Sequence, residues 1–364
     1  MFQNIYRDKT VLLTGHTGFK GAWLSLWLKK LGAKVIGLGL DPINENSFFS
    51  VNNICELIDD NRFDIRDLEK LKNLIKISKP DFVFHLAAQP LVRKSYSNPL
   101  ETWSTNLIGT LNVLESLRDL NKRCACVLIT SDKCYQNNEW VWGYRETDRL
   151  GGSDPYSSSK ASAEVGIKSY FDSFFNNEKQ LVRITSARAG NVIGGGDWSE
   201  DRIVPDCIRA WSKGVKVKLR SPNSTRPWQH VLEPLSGYLL LASKLYEFKK
   251  FNGQAFNFGP RISENFSVLE LVQLMGKYWE KVMWEDCSDT NANLHESGLL
   301  KLNCEKALDM LNWKPTLRFN DTIRFTVEWY KEFFEFNENI CKKSSSQIDE
   351  YIKFAEESSQ GWIK

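Results

Sequence analysis

The sequence predicts an α/β protein, with a doubly wound parallel sheet and a smaller mixed α/β domain after it. Two observations predict this class. Short apolar runs alternate with stretches of helical periodicity through residues 1–190, and shorter elements separated by glycine and proline follow. Strands that alternate with helices imply parallel pairing, because each helix returns the chain along one face of the sheet. A length of 364 residues, 42% of them hydrophobic, is enough to bury such a core.

Nine segments carry the prediction of the sheet. Five apolar runs are predicted as strands, and four stretches with apolar residues at helical spacing are predicted as helices. The predicted strands cover residues 10–14, 34–40, 82–86, 126–130 and 181–186, and the predicted helices cover residues 22–31, 68–77, 105–120 and 160–175. The polar tail from Cys341 onward is expected to form a surface helix or to fray.

Near residue 190 the long alternating segments give way to shorter elements, and this change predicts two domains around one cleft. The first is expected to comprise residues 1–190, together with a return segment near 225–258 that packs against the sheet. Residues 191–224 and 259–364 are expected to form the smaller domain, which would bind the substrate. No linker is long enough to separate the two, so we expect them to share the cleft.

Composition argues against several classes of function. The net charge is +3 and no long lysine or arginine run is present, which argues against a nucleic-acid binder. No apolar stretch approaches the roughly 18 residues of a membrane span, and the first residues lack the hydrophobic segment of a secretory signal. We therefore expect a cytoplasmic protein. The eight cysteines show no CxxC pair and no cysteine–histidine metal spacing, so neither a disulfide framework nor a metal site is expected.

A glycine-rich loop follows the first predicted strand. Gly15, Gly18 and Gly21 form the pattern GxxGxxG, and a predicted helix comes at once. Glycines let the backbone approach a pyrophosphate and the helix N-terminus offers amide donors, as is typical of a Rossmann-type dinucleotide site; the alternative is a simple turn. Asp41 closes the second predicted strand, where a carboxylate accepts bonds from ribose hydroxyls and repels a 2′-phosphate. This favours NAD over NADP, although the presence of Lys20 in the loop weakens the preference for NAD.

A tyrosine and a lysine stand four residues apart at a predicted helix start. Tyr156 and Lys160 would lie on one helix face. A free phenol has a pKa of about 10, and a nearby ammonium group favours the phenolate, which can accept a hydroxyl proton while hydride leaves the same carbon. The predicted strand 126–130 ends in Ser131-Asp132-Lys133, at the sheet edge where such folds bind ligands. The alternatives are an exposed helix pair and a helix cap.

Five longer motifs of the sequence resemble those of one family. They are residues 15–21 (GHTGFKG), 85–93 (HLAAQPLVR), 130–135 (TSDKCY), 142–146 (WGYRE) and 194–198 (GGGDW). With the tyrosine–lysine pair, they resemble the extended short-chain dehydrogenase/reductase superfamily and, within it, the nucleotide-sugar 4,6-dehydratases, in particular the branch that acts on CDP-glucose. The resemblance covers the chain to about residue 335.

The resemblance implies an NAD-dependent enzyme that removes water from CDP-glucose and leaves a 4-keto-6-deoxy sugar. Oxidation at C4 makes the C5 proton acidic, water is lost across C5 and C6, and the stored hydride returns to C6, so that NAD is regenerated at each turnover. A homo-oligomer, either a dimer or a tetramer, is implied by analogy. The alternatives are a dehydratase of dTDP-glucose or GDP-mannose, a C4 epimerase, and a non-catalytic NAD-binding protein. Asp132 and Lys133 argue against an epimerase, which needs no acid at C6 and no base at C5.

The motif positions imply roles for five residues. Tyr156 would be the base at the C4 hydroxyl, Lys160 would hold the nicotinamide ribose and lower the tyrosine pKa, and Ser131 would hydrogen-bond the C4 oxygen. Asp132 would be the acid at the C6 hydroxyl, a role that requires a raised carboxyl pKa. Lys133 departs from related dehydratases, which usually carry glutamate here as the C5 base. It is expected either to act as that base or to stabilise an enolate as a cation.

Further residues are expected to contact the cofactor. Besides the tyrosine–lysine pair, they are Gly15, Thr17, Gly18, Phe19, Lys20, Gly21, Asp41, Asp64, Ile65, Leu86, Ala87, Ala88, Gln89, Asn106 and Thr130. The resemblance places Asp64 beside the adenine, with capping of the following turn as the alternative. It implies that Asn106 reaches the sheet backbone near the cofactor.

A second set of residues is expected on the substrate side. They are Arg93, Ser95, Asn191, Trp198, Arg202, Arg226 and His230. The arginines suit a pyrophosphate because a guanidinium group matches its oxygens, with surface ion pairing as the alternative. Trp198 is expected either to stack on the base or to anchor its own loop. A lone histidine such as His230 is more often structural than catalytic.

Overall fold

Parallel strands form the centre of the molecule. The protein is represented by a computed structural model that describes residues 1–288, 299–336 and 339–364. The strands in these ranges are β1 (Thr10–Thr14), β2 (Lys34–Gly39), β3 (Asp59–Arg62), β4 (Phe82–His85), β5 (Cys124–Ile129), β6 (Val182–Arg188), β7 (Val192–Ile193), β8 (Val217–Leu219), β9 (Thr225–Arg226), β10 (Gln229–His230), β11 (Ala255–Asn257), β12 (Phe266–Ser267) and β13 (Trp284–Asp286). One sheet has the order β3-β2-β1-β4-β5-β6-β11, and every pair in it is parallel.

The order of the strands reverses beside β1. This strand pairs with β2 on one side and with β4 on the other, so the chain crosses there to the opposite half of the sheet. In an open α/β sheet, ligands bind above such a switch point, at the carboxyl ends of the strands. The predicted fold class is confirmed, and the fold places the site above β1 and β4.

Helices cover both faces of the sheet. The α-helices in the described ranges are α1 (Phe19–Lys30), α2 (Phe48–Val51), α3 (Ile54–Leu57), α4 (Leu68–Ser78), α5 (Val92–Ser97), α6 (Pro99–Trp103), α7 (Gly109–Leu117), α8 (Pro155–Tyr170), α9 (Ile203–Trp211), α10 (Leu232–Glu247), α11 (Val268–Met275), α12 (Glu305–Leu311), α13 (Phe319–Glu335) and α14 (Ile340–Glu357). π-Helical turns adjoin two of them, Ser104–Ile108 before α7 and Phe171–Phe175 after α8. Of the helices placed in these ranges, none is long and apolar enough to span a membrane.

The nine predicted segments are all present, with shifted ends. The predicted strands correspond to β1, β2, β4, β5 and β6, and the predicted helices correspond to α1, α4, α7 and α8, the last two with their π-helical turns. The sequence does not predict β3, because Asp59–Arg62 contains no apolar side chain. This strand lies at the edge of the sheet, where only one side needs a backbone partner and polar side chains are tolerated.

Both faces of the central strand β1 are buried. Val11 and Leu13 belong to a hydrophobic cluster with residues of α1, α10 and α13, whereas Leu12 belongs to a second cluster with residues of α4 and α7. Alternation along a strand sends neighbouring side chains to opposite faces, so a continuous apolar run is typical of a strand with helices on both sides. Packing from both faces fixes β1 and the loop that follows it.

Residues 225–258 contribute α10 and β11 to the sheet and its helical cover. β11 pairs in parallel with β6, and α10 contacts β5 and β6. Buried leucines of α10 join the same cluster as Val11 and Leu13. The return segment therefore contacts the sheet, whereas the division of the chain into two domains stays a prediction.

The C-terminal tail forms the helix α14, which packs one face against the core and leaves the other exposed, so a helix is present as expected and the alternative of a fraying tail is wrong. Ile348, Tyr351 and Ala355 of α14 are fully buried at helical spacing. The ring of Trp362 stacks on Phe2 with centroids 5.2 Å apart and on Tyr351 at 5.9 Å. Polar residues lie between these positions, so the overall composition of the tail does not indicate an apolar helix face. The helical spacing of its apolar residues does indicate one.

Candidate active site

Loops at the carboxyl ends of the central strands surround a cavity of about 800 Å³. That volume suits a small-molecule site. Most residues predicted for the two ligands lie on its wall. They are Gly15, Thr17, Gly18, Phe19, Lys20, Gly21, Asp41, Asp64, Ile65, Leu86, Ala87, Ala88, Gln89, Arg93, Thr130, Ser131, Asp132, Lys133, Tyr156, Lys160, Asn191, Trp198, Arg202 and Arg226. Among the described residues, no cluster of histidine, cysteine and carboxylate side chains could hold a metal ion.

The glycine loop leaves no room for side chains at two of its three glycines. Gly15 has a φ of +76°, and a Cβ there would lie 2.6 Å from the backbone nitrogen of Ala87. A Cβ on Gly21 would lie 2.1 Å from the Gly15 carbonyl oxygen. The loop backbone is therefore exposed to the cavity directly before α1, which offers its N-terminal amides and its positive dipole end. This cradle fits the pyrophosphate of a dinucleotide.

Two acidic residues line the opposite part of the cavity. Asp41 follows β2 and its side chain is exposed, in agreement with a carboxylate that faces ribose hydroxyls. Asp64 lies next to Ile65 on the wall. Its Oδ1 accepts the backbone N–H of Arg66 at 2.8 Å, and its Oδ2 accepts Arg66 Nη2 at 2.6 Å. Asp64 thus caps its own turn while it borders the cavity, and its contact with the adenine stays a prediction.

Ser131, Asp132 and Tyr156 meet at the end of β5. The Ser131 hydroxyl donates to Asp132 Oδ1 at 2.9 Å and also hydrogen-bonds the Tyr156 phenol. Asp154 caps α8 by accepting the Ser157 N–H at 2.9 Å, which places Tyr156 in the first turn of the helix. Lys160 follows one turn later on the wall of the same cavity. The structure therefore brings together the groups that the sequence predicts from separate segments.

The Asp132 carboxylate is held from its other side by residues after β6. Asn191 Nδ2 donates to Asp132 Oδ2 at 3.3 Å. A Cβ on Gly190 would lie 1.9 Å from the same oxygen, so only glycine leaves space for the carboxylate. Asn191 has a left-handed φ of +49°, a conformation that asparagine tolerates better than most residues. Such backbone geometry is found where a side chain must be aimed at a site.

Burial dominates the protonation of the tyrosine–lysine pair. It raises the pKa of Tyr156 to about 12, while the hydrogen bond from Ser131 and the charge of Arg202 act in the opposite direction. Burial also lowers the pKa of Lys160 to about 8, against the charge of Glu164. The protein by itself therefore favours the neutral phenol, and the predicted effect of Lys160 together with a positive nicotinamide ring stays a prediction. A further positive charge of this kind acts against the effect of burial.

Lys20 brings another cation to this part of the cavity. Burial lowers the pKa of its ammonium group to about 7, helped by the positive charges of Arg202 and Lys160 and opposed by the negative charge of Asp132. The side chain is half-buried on the cavity wall. Lys133 is also half-buried there, next to Asp132. The catalytic part of the cavity therefore holds three lysines around one carboxylate.

A buried ion pair that the sequence analysis missed lies beneath these groups. Glu164 of α8 and Arg188 of β6 pair at 2.8 Å, and both side chains are 4% exposed. Thr130 and Ser186 donate their hydroxyls to the two Glu164 oxygens, and Arg188 Nη1 donates to the Tyr135 hydroxyl at 2.8 Å. The pair joins α8 to the ends of β5 and β6 and so fixes the catalytic residues. The sequence offers one indication of this ion pair, because Glu164 follows Lys160 by four residues and so lies on the same helix face.

Asn106 and Ser95 lie behind the cavity wall, so their predicted contacts with ligands are wrong. Asn106 Oδ1 accepts the Gln89 N–H at 2.8 Å, and its Nδ2 donates to the Gln89 carbonyl at 3.1 Å. Asn106 therefore reaches the backbone after β4, as the resemblance implies. Ser95 is fully buried, and its hydroxyl accepts the Tyr156 N–H at 3.2 Å. Both residues position wall residues and do not line the wall.

His230 is also a structural residue, and its predicted substrate contact is wrong. Its ring is fully buried between Trp23 and Phe325, with centroids 6.1 and 5.4 Å away. Burial lowers the pKa of the imidazole to about 3, so the ring is neutral. Trp198 borders the cavity, but its ring packs edge-on against Tyr330 at 5.4 Å, which supports the interpretation as an anchor of its loop.

The arginines on the substrate side lie on the wall and also make ion pairs. Arg202 Nη1 lies 2.9 Å from Asp197 Oδ2, and Arg93 Nη1 lies 3.4 Å from Asp201 Oδ1. Arg226 Nη1 donates to the Thr225 carbonyl at 2.8 Å. The interpretation as ion pairs therefore holds for Arg202 and Arg93, while their position on the cavity keeps them available to a phosphate.

A glycine cradle after β1 and a tyrosine–lysine pair beside Ser131 define an enzyme of the extended short-chain dehydrogenase/reductase class. Within that class, the chain belongs to the family described as GDP-mannose 4,6 dehydratase, whose sequence model matches residues 12–326. The resemblance inferred from the motifs is confirmed.

Relatives and solved structures agree with this membership. The chain is 46% identical over 355 residues to CDP-glucose 4,6-dehydratase of Salmonella typhimurium, covering 96% of this chain and 98% of the relative. It is 25% identical over 343 residues to human dTDP-D-glucose 4,6-dehydratase, covering 92% and 93%. The fold is similar to an epimerase from Methanothermobacter thermautotrophicus, with a TM-score of 0.76, 24% identity and coverage of 93% and 96%. It is also similar to dTDP-glucose 4,6-dehydratase of Bacillus anthracis in complex with NAD, with a TM-score of 0.73, 21% identity and coverage of 92% and 100%.

Proposed function

We propose that this protein is an NAD-dependent CDP-glucose 4,6-dehydratase. The observation that carries the proposal is the convergence of Asp132 and Lys133 with the tyrosine–lysine pair in one cavity. A C4 epimerase needs only the redox groups, whereas a dehydratase also needs an acid at C6 and a base or cation near C5. The identity of 46% to a CDP-glucose 4,6-dehydratase supports CDP-glucose as the substrate.

The residues present fit NAD as the cofactor. The cradle of Gly15 and Gly21 admits a pyrophosphate next to α1, and Asp41 stands where ribose hydroxyls are bound. Lys160 is placed to hold the nicotinamide ribose. NAD, when bound, would supply the hydride chemistry of the reaction, at C4 of the sugar in the oxidation and at C6 in the reduction. The chain's own residues bind and orient both ligands and move the protons.

Tyr156 accepts the proton of the C4 hydroxyl in the oxidation step. The Ser131 hydroxyl, which hydrogen-bonds the phenol, is placed to hold the same C4 oxygen. Burial raises the pKa of Tyr156 to about 12, and positive charge brought into the site would lower this pKa and favour the phenolate.

Asp132 and Lys133 act in the elimination step. The ketone at C4 makes the C5 proton acidic, and Asp132 donates a proton to the departing C6 hydroxyl. Lys133 either removes the C5 proton as a neutral amine or stabilises the enolate oxygen as a cation. Asn191 and Gly190 hold the Asp132 carboxylate at one place throughout.

Incubation of the purified protein with CDP-glucose, dTDP-glucose and GDP-mannose in separate reactions tests the proposal. We expect a 4-keto sugar from CDP-glucose alone, without net release of NADH. The variant Tyr156→Phe is the matched control and should give no product. Product from another nucleotide sugar would contradict the assigned substrate, and absence of product from all three would contradict the activity.

A C5-deuterated CDP-glucose separates a dehydratase from an epimerase. The dehydratase must exchange the label with solvent because C5 is deprotonated, whereas a C4 epimerase retains it. Retention of the label together with a changed configuration at C4 would contradict the proposal.

We also propose that the enzyme is a homo-oligomer that works in the cytoplasm. Exposed apolar side chains, including Leu100, Ile108 and Val165, lie on α6, α8 and the π-helical turn between them, which pack on one another. Such a surface supports contact with a second copy. Cys124, Cys126, Cys134 and Cys207 are buried free thiols, and such thiols are typical of a reducing compartment.

A further inference from the structure

An arginine stands behind the carboxylate that is expected to face the adenosine ribose. Asp41 follows β2 and lines the cavity, and its side chain is 93% exposed. Arg62 is the last residue of β3, and its Nη1 atom lies 3.6 Å from Asp41 Oδ1. Because β2 and β3 are parallel neighbours, their carboxyl ends bring this cation and this carboxylate side by side, with Asp41 on the cavity wall and Arg62 next to it.

All three nitrogens of the Arg62 guanidinium group are engaged. Nε and Nη2 donate to Oδ1 and Oδ2 of Asp60 at 2.6 and 2.8 Å, and Nη1 donates to the Leu40 carbonyl at 3.0 Å. The Phe49 ring lies 4.9 Å from the guanidinium carbon. A bidentate pair fixes both the position and the plane of a guanidinium group. Contacts within the protein therefore hold Arg62 in one orientation.

Asp60 is anchored in turn by a histidine of the glycine loop. His16 Nε2 lies 2.7 Å from Asp60 Oδ1. The imidazole is buried, and burial lowers its pKa, so it adds no positive charge at neutral pH. Gly37 in β2 leaves the space that the ring occupies, because a Cβ there would lie 2.5 Å from it. The orientation of Arg62 is thus built into the loop and two strands.

We propose that the way Arg62 is held selects NAD over NADP, and that repulsion by Asp41 is only part of this selection. The inference rests on the proposed NAD-dependent function. An arginine at this position can bind the 2′-phosphate that distinguishes NADP. Here Asp41 and Asp60 surround one guanidinium group with two carboxylates, which leaves one excess negative charge. A phosphate therefore meets repulsion, together with a cation whose charge is already compensated and which already uses three of its five N–H donors.

Replacing Asp41 should convert Arg62 into a phosphate-binding residue. Without that carboxylate, Asp60 and Arg62 balance each other. Nη1 keeps its hydrogen bond to the Leu40 carbonyl, and its second N–H no longer faces a charged partner at Asp41. We expect Asp41→Asn to strengthen NADP binding relative to NAD binding by roughly tenfold or more, because a guanidinium–phosphate hydrogen bond is charge-assisted. Adding Arg62→Ala to this variant should remove the gain. Isothermal titration calorimetry of both nucleotides measures the ratio of the two dissociation constants without turnover.

A matched control lies four residues further along the chain. Arg66 pairs with Asp64 in the same bidentate manner, with Nε and Nη2 at 3.0 and 2.6 Å from the two carboxylate oxygens. Asp41→Asn combined with Arg66→Ala should keep the gain in the NADP-to-NAD ratio. This variant removes an arginine that has the same bidentate pairing but for which no contact with Asp41 is found.

Two results would overturn the inference. Either Asp41→Asn gives no gain, or the gain survives the removal of Arg62, in which case repulsion by Asp41 accounts for the whole selection. If Arg62→Ala lowers the yield of folded protein, Arg62→Gln in the same background makes the same test, since it removes the charge and keeps much of the length. Failure of the unmodified protein to bind NAD would contradict the proposed function instead, so the two failures are distinguishable.

Discussion

The catalytic floor of the cavity and its outer wall are built in different ways. The floor consists of Ser131, Asp132, Tyr156 and Lys160, whose side chains are all buried. Asn191, which is half-buried, donates to the Asp132 carboxylate, and Ser131 hydrogen-bonds both Asp132 and the Tyr156 phenol. The outer wall, defined as Arg93, Arg202 and Arg226, belongs to the substrate side. Side chains of Arg93 and Arg202 are 38% and 34% exposed, and each pairs with an aspartate.

This difference separates two kinds of contribution to activity. A buried side chain with fixed partners cannot relax when a neighbour changes, so a change in the floor acts on the chemical steps. A partly exposed ion pair contributes at most about 1 kcal/mol. Arg93 therefore loses little when its partner Asp201 is replaced by a phosphate of the substrate. We expect changes in the outer wall to act mainly on substrate binding.

The largest effect is expected from Tyr156→Phe, which removes the base of the floor and leaves the ring. The rate of cofactor reduction should fall by roughly 10³–10⁴-fold, the upper part of the range for general acid–base catalysis. Absorbance of the reduced nicotinamide measures this rate in a single turnover. NAD affinity should stay within a few-fold of the original. A loss of NAD binding would show instead that the tyrosine serves as a cofactor contact.

Asp132→Asn should separate the two chemical steps. The amide keeps the shape of the carboxylate but cannot donate a proton to the C6 hydroxyl. We expect elimination to slow by roughly 10²–10³-fold while hydride transfer slows less. Reduced cofactor should therefore accumulate during turnover. Equal slowing of both steps would contradict the role of Asp132 as the acid.

Gly190→Ala tests whether the floor depends on a contact outside the catalytic residues. The new Cβ would lie 1.9 Å from Asp132 Oδ2, so the carboxylate must move. A displacement of about 1 Å in a catalytic group can lower the rate by roughly 10²-fold. We expect kcat to fall by about that factor while the KM for the substrate changes little. An unchanged kcat would show that the carboxylate tolerates the shift.

The two regions also differ in how far the sequence predicts them. Gly15, Gly18 and Gly21 are close in sequence, and Tyr156 and Lys160 share one helix turn, so local spacing is enough to find them. Contacts between distant segments have no such signal.

Gly190 and Asn191 meet Asp132 only because β5 and β6 are neighbours in the sheet. The predicted ligand contacts of His230 and Ser95 are wrong for a related reason, because the burial of a side chain depends on packing from several elements. No single segment carries that information. The fold class could be predicted because the residues of each segment by themselves indicate whether that segment is a strand or a helix.

Arg202→Ala should show the smaller effect expected of the outer wall. The arginine pairs with Asp197 at 2.9 Å and lies on the cavity, where it can hydrogen-bond a pyrophosphate oxygen. Loss of one charge-assisted hydrogen bond should raise the KM for CDP-glucose by about tenfold. We expect kcat to fall less. Because Arg202 also lowers the pKa of Tyr156, a dominant loss of kcat would place this arginine with the floor.

The smallest effect should come from the pH dependence of the floor. Burial lowers the pKa of Lys160 to about 8, so the ammonium group is charged below that pH and neutral above it. A neutral amine binds ribose hydroxyls less well than a charged one. NAD affinity should therefore fall by about fivefold from Lys160 alone as the pH rises from 7 to 9.5, a change of roughly 1 kcal/mol.

The variant Lys160→Arg isolates this contribution, because a guanidinium group stays charged throughout that range. Lys20, with a pKa of about 7, remains in both proteins and titrates in the lower part of the range. The fall in NAD affinity above pH 8 should therefore disappear in the variant, while any fall near pH 7 should persist. Similar profiles for the two proteins would place the pH dependence outside the tyrosine–lysine pair and weaken the distinction between floor and wall.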